Sequence, residues 1–247
     1  MKVLLIGDSC EDRYFYGNAK KLSPEAPAPI LEYTRAITTK GMVWNVFSNL
    51  NSFGIKIDIF TNEEKIIKTR FIDEKSNQQI LRVDDDPEIK PMEDKFPYYV
   101  LEGKYDALVI SDYNKGYITE KKLFELVDWF DGPVFIDSKK TNLPPDAYIK
   151  INELEYERMS SGNYENLIVT RGSKGAEYKG EIYEAEKVKV FDVAGAGDTF
   201  LAALTYGYLK YGTIEEAIPL ANKAAAVAVS HRGTYVLTEE DINEILH

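Results

Sequence analysis

The sequence has almost no cysteine. Cys10 stands alone among 247 residues. That excludes an intrachain disulfide framework and fits a reducing compartment. Nor is there an apolar run near the ~18 residues that a membrane span needs. The opening MKVLLIGD is stopped by Gly7-Asp8, too early for the core of a signal peptide. Positive charge is in deficit: Lys+Arg 30 against Asp+Glu 41, a net charge of −11. Affinity for a phosphate backbone needs a basic face, so general nucleic-acid binding is a poor reading, and charge of this size serves solubility. Repeats and low-complexity segments are lacking too. What remains is a soluble, cytoplasmic, globular protein with no membrane and no nucleic-acid partner. With 44% hydrophobic residues, the chain is long enough to bury a core as a single domain over 1–247.

Short apolar runs at 3–6, 57–60, 107–110, 134–136 and 167–169 each end in a polar or acidic residue: Gly7-Asp8, Thr61, Asp112 beyond Ser111, Asp137 and Thr170. Continuous apolar strands predict a sheet covered on both faces, hence mostly parallel. Helical patterns lie between them, at 120–129, 198–209 and 215–229, with a capped terminal helix from Thr238. Alternating strands and helices predict an α/β open sheet with helices on both faces. Two stretches break the rhythm. Residues 14–39 hold Ser23-Pro24-Glu25-Ala26-Pro27, and residues 66–86 alternate around a turn at 73–77. Both read as antiparallel excursions, either long surface hairpins or a small β-flap serving as a lid.

The sharpest motif is Asp192-Val193-Ala194-Gly195-Ala196-Gly197-Asp198-Thr199-Phe200, running straight into an apolar helix. Gly195 and Gly197 remove side chains where backbone N–H groups must converge on an anion, and the helix N-terminus adds its positive end. A carboxylate at Asp198 sits at the same place. Amides that hold developing charge, beside a base that takes a hydroxyl proton, suit phosphoryl transfer. A tight turn with an acidic cap is the plainer alternative. No Gly-Lys-Ser/Thr follows, so this is not a Walker A loop, and the dinucleotide fingerprint also fails. Asn152-Glu153-Leu154-Glu155 places an amide and a carboxylate on one face of a helix start. Glu155 there either organises the water shell of Mg²⁺ or belongs to an N-capped acidic turn.

With these motifs stand Gly7-Asp8, Asp12-Arg13-Tyr14, Leu22-Ser23-Pro24-Glu25-Ala26-Pro27, Gln78-Gln79-Ile80-Leu81-Arg82-Val83-Asp84, Ser111-Asp112-Tyr113-Asn114-Lys115-Gly116 and Val169-Thr170-Arg171-Gly172-Ser173-Lys174-Gly175. In order, and over nearly the whole chain, they resemble the PfkB/ribokinase family of carbohydrate kinases. The Ser-Pro-Glu-Ala-Pro and Ser-Asp-Tyr stretches are most similar to its heptose-7-phosphate kinase branch, which serves lipopolysaccharide biosynthesis. The resemblance implies a Rossmann-like ribokinase fold with a β-lid from about 14–39 and 66–86. It implies an ATP-dependent, Mg²⁺-assisted kinase for a hydroxyl of a sugar or sugar phosphate. By position, Asp198 resembles the base, and Gly195, Ala196 and Gly197 the anion hole. Asn152 and Glu155 match the phosphate and metal organiser, Thr170, Gly172 and Gly175 the nucleotide-phosphate loop, and Asn222 the adenine-pocket helix. Asp12 and Asn45 match ligands of sugar hydroxyls, with Asp8 beside them. Arg82 and Lys115 are candidates for the substrate's own phosphate, or else ordinary surface cations. A homodimer through the lid is implied as well.

The chain departs from the family at three places. The Gly-Gly-x-x-x-Asn sugar motif reads Lys40-Gly41-Met42-Val43-Trp44-Asn45. One glycine is lost, and bulky residues either reshape the sugar pocket or face the core from a helix start. A helix and strand that the family carries after Phe60, with an acidic Asp-x-x-Gly segment, are missing. No adenylyltransferase part follows His247, so a kinase without that second activity is expected. Because the sugar side is altered, two further readings stay open. One is a non-catalytic nucleotide- or sugar-binding member of the fold. The other is a kinase for a non-phosphorylated small alcohol or nucleoside.

Overall fold

The computed structural model describes residues 1–93, 98–101 and 103–247. In chain order it contains β1 (Lys2–Gly7), β2 (Ser9–Leu22), β3 (Pro29–Met42), α1 (Val43–Ser52), β4 (Lys56–Thr61), β5 (Ile66–Asp73), β6 (Gln78–Asp85) and α2 (Tyr98–Leu101). There follow β7 (Ala107–Asp112), α3 (Glu120–Trp129), β8 (Val134–Ser138), β9 (Tyr148–Asn152), α4 (Glu153–Arg158), β10 (Leu167–Thr170), β11 (Ala176–Tyr178) and β12 (Glu181–Tyr183). The chain closes with α5 (Ala196–Tyr211), α6 (Ile214–Val229) and α7 (Glu239–Leu246). These elements fall into two compact units, Met1–Asp8 with Met42–Asn62 and Lys90–His247, and Ser9–Gly41 with Glu63–Ile89.

The larger unit is built on an eight-stranded sheet in the order β12-β11-β10-β9-β8-β7-β1-β4. From β10 to β4 every neighbouring pair runs parallel, and β11 and β12 add an antiparallel edge. Both faces are covered, as the unbroken apolar strands require. Along β1, Val3 and Leu5 pack on one face with α1, α5 and α6, while Leu4 and Ile6 pack on the other with α3. The α/β class with a mostly parallel sheet is therefore observed. All five apolar runs of the sequence lie within strands. β9 went unread because Lys150 interrupts its apolar run.

α5 and α6 are buried along most of their length. Thr238 caps α7 reciprocally with Asp241, as the sequence signals. Residues 43–52 resolve the alternatives for the altered sugar motif. α1 starts at Val43, which is buried with Met42, and Trp44 packs edge-on to Phe47 against the core.

The smaller unit is a four-stranded sheet in the order β3-β2-β5-β6. β5 and β6 form an antiparallel pair, as expected of an excursion. β2 and β5, however, run parallel in register from Cys10↔Ile66 to Gly17↔Asp73. The antiparallel expectation fails here for a topological reason. Between β3 and β5 the chain passes through α1 and β4, and a strand arriving after such a crossover is free to lie parallel to β2. Only residues 62–65 separate β4 from β5, so the shortness noted after Phe60 is real.

Candidate active site

In an open parallel sheet, ligands bind beyond the carboxyl ends of the strands. Here those ends carry Asp8 after β1, Asp112 on β7, Asp137 and Ser138 on β8, Lys150 and Asn152 on β9, and Thr170 on β10. A cavity of about 120 Å³ is lined by Asp112, Tyr113, Asp137, Lys139, Lys150, Asn152, Glu155, Gly195, Gly197 and Asp198. A second, of about 350 Å³, is lined largely by apolar residues, among them Val188, Val190, Phe200, Ala225 and Val229. Thr170, Gly172, Gly175 and Asn222 also line it. Gly197 borders both.

Asp198 lies in the first turn of α5 and is only 2% exposed. Its Oδ2 accepts from Asn45 Nδ2 at 2.9 Å, and its Oδ1 accepts from the Tyr113 hydroxyl at 2.7 Å. Burial pushes its carboxyl up to about 6; the Asn45 bond opposes the rise and the Asp137 charge adds to it. Gly195 caps α5 in the left-handed region, at φ 77°. At Gly197 the need is space, since a Cβ would stand 2.8 Å from Lys150 Nζ. The Ala196 N–H donates to Val193 O at 3.3 Å, so one of the three expected anion-hole amides is already engaged in the turn.

Lys150 is 4% exposed, and its ammonium donates to Asp137 Oδ2 at 2.6 Å. The two residues are register partners on β9 and β8. Burial works against the Lys150 ammonium, but Asp137 beside it keeps its pKa above the ordinary value. Sequence reading gave neither residue a role. The available signal was a lysine inside Tyr-Ile-Lys-Ile-Asn, since a charge in an apolar strand has to be paired. Deeper along the strand ends, the buried Asp112 Oδ2 accepts from Ser138 Oγ at 2.5 Å and from Lys140 Nζ at 2.7 Å.

Asn152 and Glu155 form a reciprocal capping box at the start of α4. Each accepts the other's backbone N–H at 2.9 Å, and Glu155 Oε1 lies 3.4 Å from Lys139 Nζ. The capping alternative is thus realised, with both side chains still at the cavity wall. Asn222 Nδ2 donates to the carbonyls of Tyr183 and Glu184, tying α6 to the segment that walls the apolar pocket. Asp8 is fully buried. Its Oδ2 accepts from the Lys115 N–H at 3.1 Å, while Oδ1 has no partner among the described residues. Burial raises the Asp8 carboxyl to about 6, against the pull of the Lys115 amide.

The smaller unit carries Asp12, Gly41 and Arg82. Asp12 is buried and bonded to Arg70 Nη1 at 2.5 Å, a partner that the sequence did not suggest. Gly41 lies so close that a Cβ there would collide with Asp12 Oδ2. Arg82 donates through two nitrogens to Asp84, at 2.7 and 2.8 Å, on the exposed strand β6.

The residues present fit a nucleotide with its metal. An apolar pocket of this volume, within the range typical of ligand sites, opens beside a helix N-terminus. The neighbouring cavity offers carboxylate oxygens of the kind a hard cation takes, at Asp112, Asp137 and Glu155. Among the described residues no cluster of three or more His, Cys, Asp or Glu is poised to hold a metal by itself.

A parallel sheet with a glycine-bordered helix N-terminus between a polar cavity and an apolar pocket defines an α/β fold suited to phosphoryl transfer. Residues 151–241 match the pfkB family carbohydrate kinase. The chain is 30% identical to the bifunctional protein HldE of a Nitratiruptor species, over 98% of this chain and 64% of that protein. It is 29% identical to the bifunctional protein HldE of Helicobacter pylori, over 100% of this chain and 66% of that protein. It therefore spans just under two thirds of these relatives. The first alignment runs over 298 positions, more than the 247 residues here, so the relative has segments that this chain lacks. The ribokinase of Thermotoga maritima superimposes with a TM-score of 0.71 at 17% identity, covering 99% and 98% of the two chains. Phosphofructokinase-2 of Escherichia coli gives 0.74 at 17%, covering 98% and 97%. The fold is that of the ribokinase-like carbohydrate kinases, and the sequence resembles the PfkB family. No helix among the described residues is long and apolar enough to cross a membrane.

Proposed function

We propose that this protein is an ATP-dependent sugar kinase whose acceptor is a heptose-7-phosphate-like sugar phosphate. One observation carries the reading: a buried carboxylate, Asp198, stands at the N-terminus of α5, where the polar cavity and the apolar pocket share Gly197. The apolar pocket suits adenosine, with Thr170, Gly172 and Gly175 toward the phosphates and Asn222 holding the wall. The acceptor hydroxyl gives its proton to Asp198, which is ionised above about pH 6 and close enough to that value to act as a general base near neutrality. Asn45 and Tyr113 fix the carboxylate's orientation. The amides of Gly195 and Gly197 at the positive end of the helix face the charge on the transferring group. Glu155 and its neighbours would hold Mg²⁺, which when bound would neutralise charge on the nucleotide phosphates.

The heptose assignment rests on the Ser-Pro-Glu-Ala-Pro and Ser-Asp-Tyr stretches together with the relatives. Asp8, Asp12, Gly41, Asn45 and Lys115 belong to the acceptor side in this reading. Pairing of two copies along the smaller sheet belongs to it as well, supported by exposed Leu22, Tyr33, Ile37, Leu81 and Val83. Retention of Asp198 in a buried, hydrogen-bonded setting favours a working kinase over a binding protein.

The test is ADP release from MgATP across a panel of sugars and sugar phosphates that includes heptose 7-phosphate. Asp198→Asn is expected to lower turnover by roughly 10²–10⁴ with nucleotide affinity nearly unchanged. Turnover on non-phosphorylated acceptors alone would move the substrate class. Nucleotide binding with no turnover on any acceptor would make this a binding protein.

A further inference from the structure

Four of the six charged residues that line the polar cavity are acidic: Asp112, Asp137, Glu155 and Asp198. A transferring phosphoryl group carries its charge on three oxygens, and catalysis consists largely of holding that charge in place. Two cations line the same cavity. Lys139 is half exposed, beside Glu155 and over the Tyr113 ring. Lys150 is buried, fixed by a 2.6 Å bond to Asp137, and directed at the first turn of α5. A methyl at position 197 would stand 2.8 Å from its Nζ and 3.7 Å from Asp137 Oδ2. The ion pair therefore borders the peptide where the polar and apolar cavities meet. As a purely structural device it would be a poor choice, since apolar residues of similar volume usually serve a sheet interior at least as well as a buried ion pair.

We propose that Lys150 is the cation that contacts the phosphoryl group in flight, and that Asp137 is the positioning residue that holds its ammonium at the mouth of α5. This rests on the kinase reading above. In the step, a bond forms between the acceptor oxygen and the γ-phosphorus, and the bond from that phosphorus to the ADP oxygen breaks. The hydroxyl proton goes to Asp198, and ADP leaves with the electron pair of the broken bond. Lys150 keeps its proton throughout and faces the non-bridging oxygens. Gly197 is small because Nζ needs that space.

Three variants test this: Lys150→Met, Lys150→Arg and the double Lys150→Met/Asp137→Leu. Lys150→Met alone leaves a buried carboxylate unpaired and is at risk of misfolding, whereas the double variant removes the pair as a unit. The first readout is kcat against KM. Lys150→Met and the double variant are expected to lose roughly 10²–10³ in kcat, the size seen for a single charge-stabilising donor, while KM for MgATP moves less than about fivefold. Lys150→Arg should recover part of the loss. The second readout needs no turnover: aluminium fluoride should tighten MgADP binding to the wild type and not to the double variant. A double variant with wild-type circular dichroism that regains near wild-type kcat, or is tightened by fluoride as the wild type is, reduces the pair to scaffolding and overturns the proposal. A wild type that binds MgADP but turns over no acceptor sinks the kinase reading alone, and the fluoride arm still decides on Lys150. A wild type that binds no MgADP overturns both.

Discussion

The two units bury their polar groups in opposite ways. In the larger one, a two-faced apolar core carries the fold, and Asp8, Asp112, Asp137, Lys150 and Asp198 are concentrated at the strand ends and the start of α5. In the smaller one, β3 and β6 are exposed along most of their length. There Asp12, with Arg70 and Cys10 around it, makes up part of the little core there is. A charged group supported by a large apolar core can be kept for chemistry at a cost in stability. A charged pair inside a thin sheet has to help hold that sheet together. The same kind of residue, a buried aspartate, thus stands for two different dependencies.

The comparison breaks most visibly at Arg70. Arg70→Met strands the Asp12 carboxylate and should cost ~3 kcal/mol. Hydrogen exchange should show lost protection in β2 and β5 with β1, β7 and β8 unchanged. Equal loss in both sheets would mean that the units do not differ in this way.

Next in size is Asp198 itself. Its carboxyl is raised from 3.8 to about 6 in the fold, so the folded chain binds the extra proton between those values. That stabilisation is complete below about pH 3.8 and lost as pH rises through 6. At pH 8 the charge is buried at a cost on the order of 2–3 kcal/mol, which Asp198→Asn should relieve. Denaturant titrations at pH 8 and pH 4 check it: the variant should gain stability at the higher pH and little at the lower. Asp8, whose shift does not depend on Asp198, titrates in both proteins and drops out of the difference.

The smallest effect belongs to Arg82→Ala. An exposed pair with Asp84 should be worth under about 1 kcal/mol. The informative readout is KM for a phosphorylated acceptor. A rise confined to phosphorylated acceptors keeps Arg82 as a phosphate ligand that leaves Asp84, and an unchanged KM removes it from the acceptor side.

Most of the larger sheet was legible because a strand buried on both faces writes itself as an unbroken apolar run. Three strands of that sheet were missed: β11 and β12, an antiparallel edge of only three residues each, and β9, in which Lys150 breaks the apolar run, so the residue that hid β9 is also one that lines the polar cavity. The placement of Asp198 and its two glycines at a helix start could be read because glycines and an acidic residue running straight into an apolar stretch mark a helix N-terminus. Its hydrogen-bond partners Asn45 and Tyr113 could not be assigned to it, because they approach from α1 and from the loop after β7 and only the fold brings them together. In the smaller unit the alternation over 66–86 marked β5 and β6, but alternation carries no information on direction. The parallel pairing of β2 with β5 depends on what the chain does between them.

The two-faced core also determines what light can report. The chain has two tryptophans. Trp44 packs against the sheet face that holds α1, α5 and α6. Trp129 packs against the opposite face, beside Tyr98 and Phe130. Each layer therefore has its own fluorophore. Replacing one tryptophan at a time by phenylalanine turns intrinsic emission into a separate clock for each side of the sheet, so the order in which the layers assemble can be read without attaching a dye.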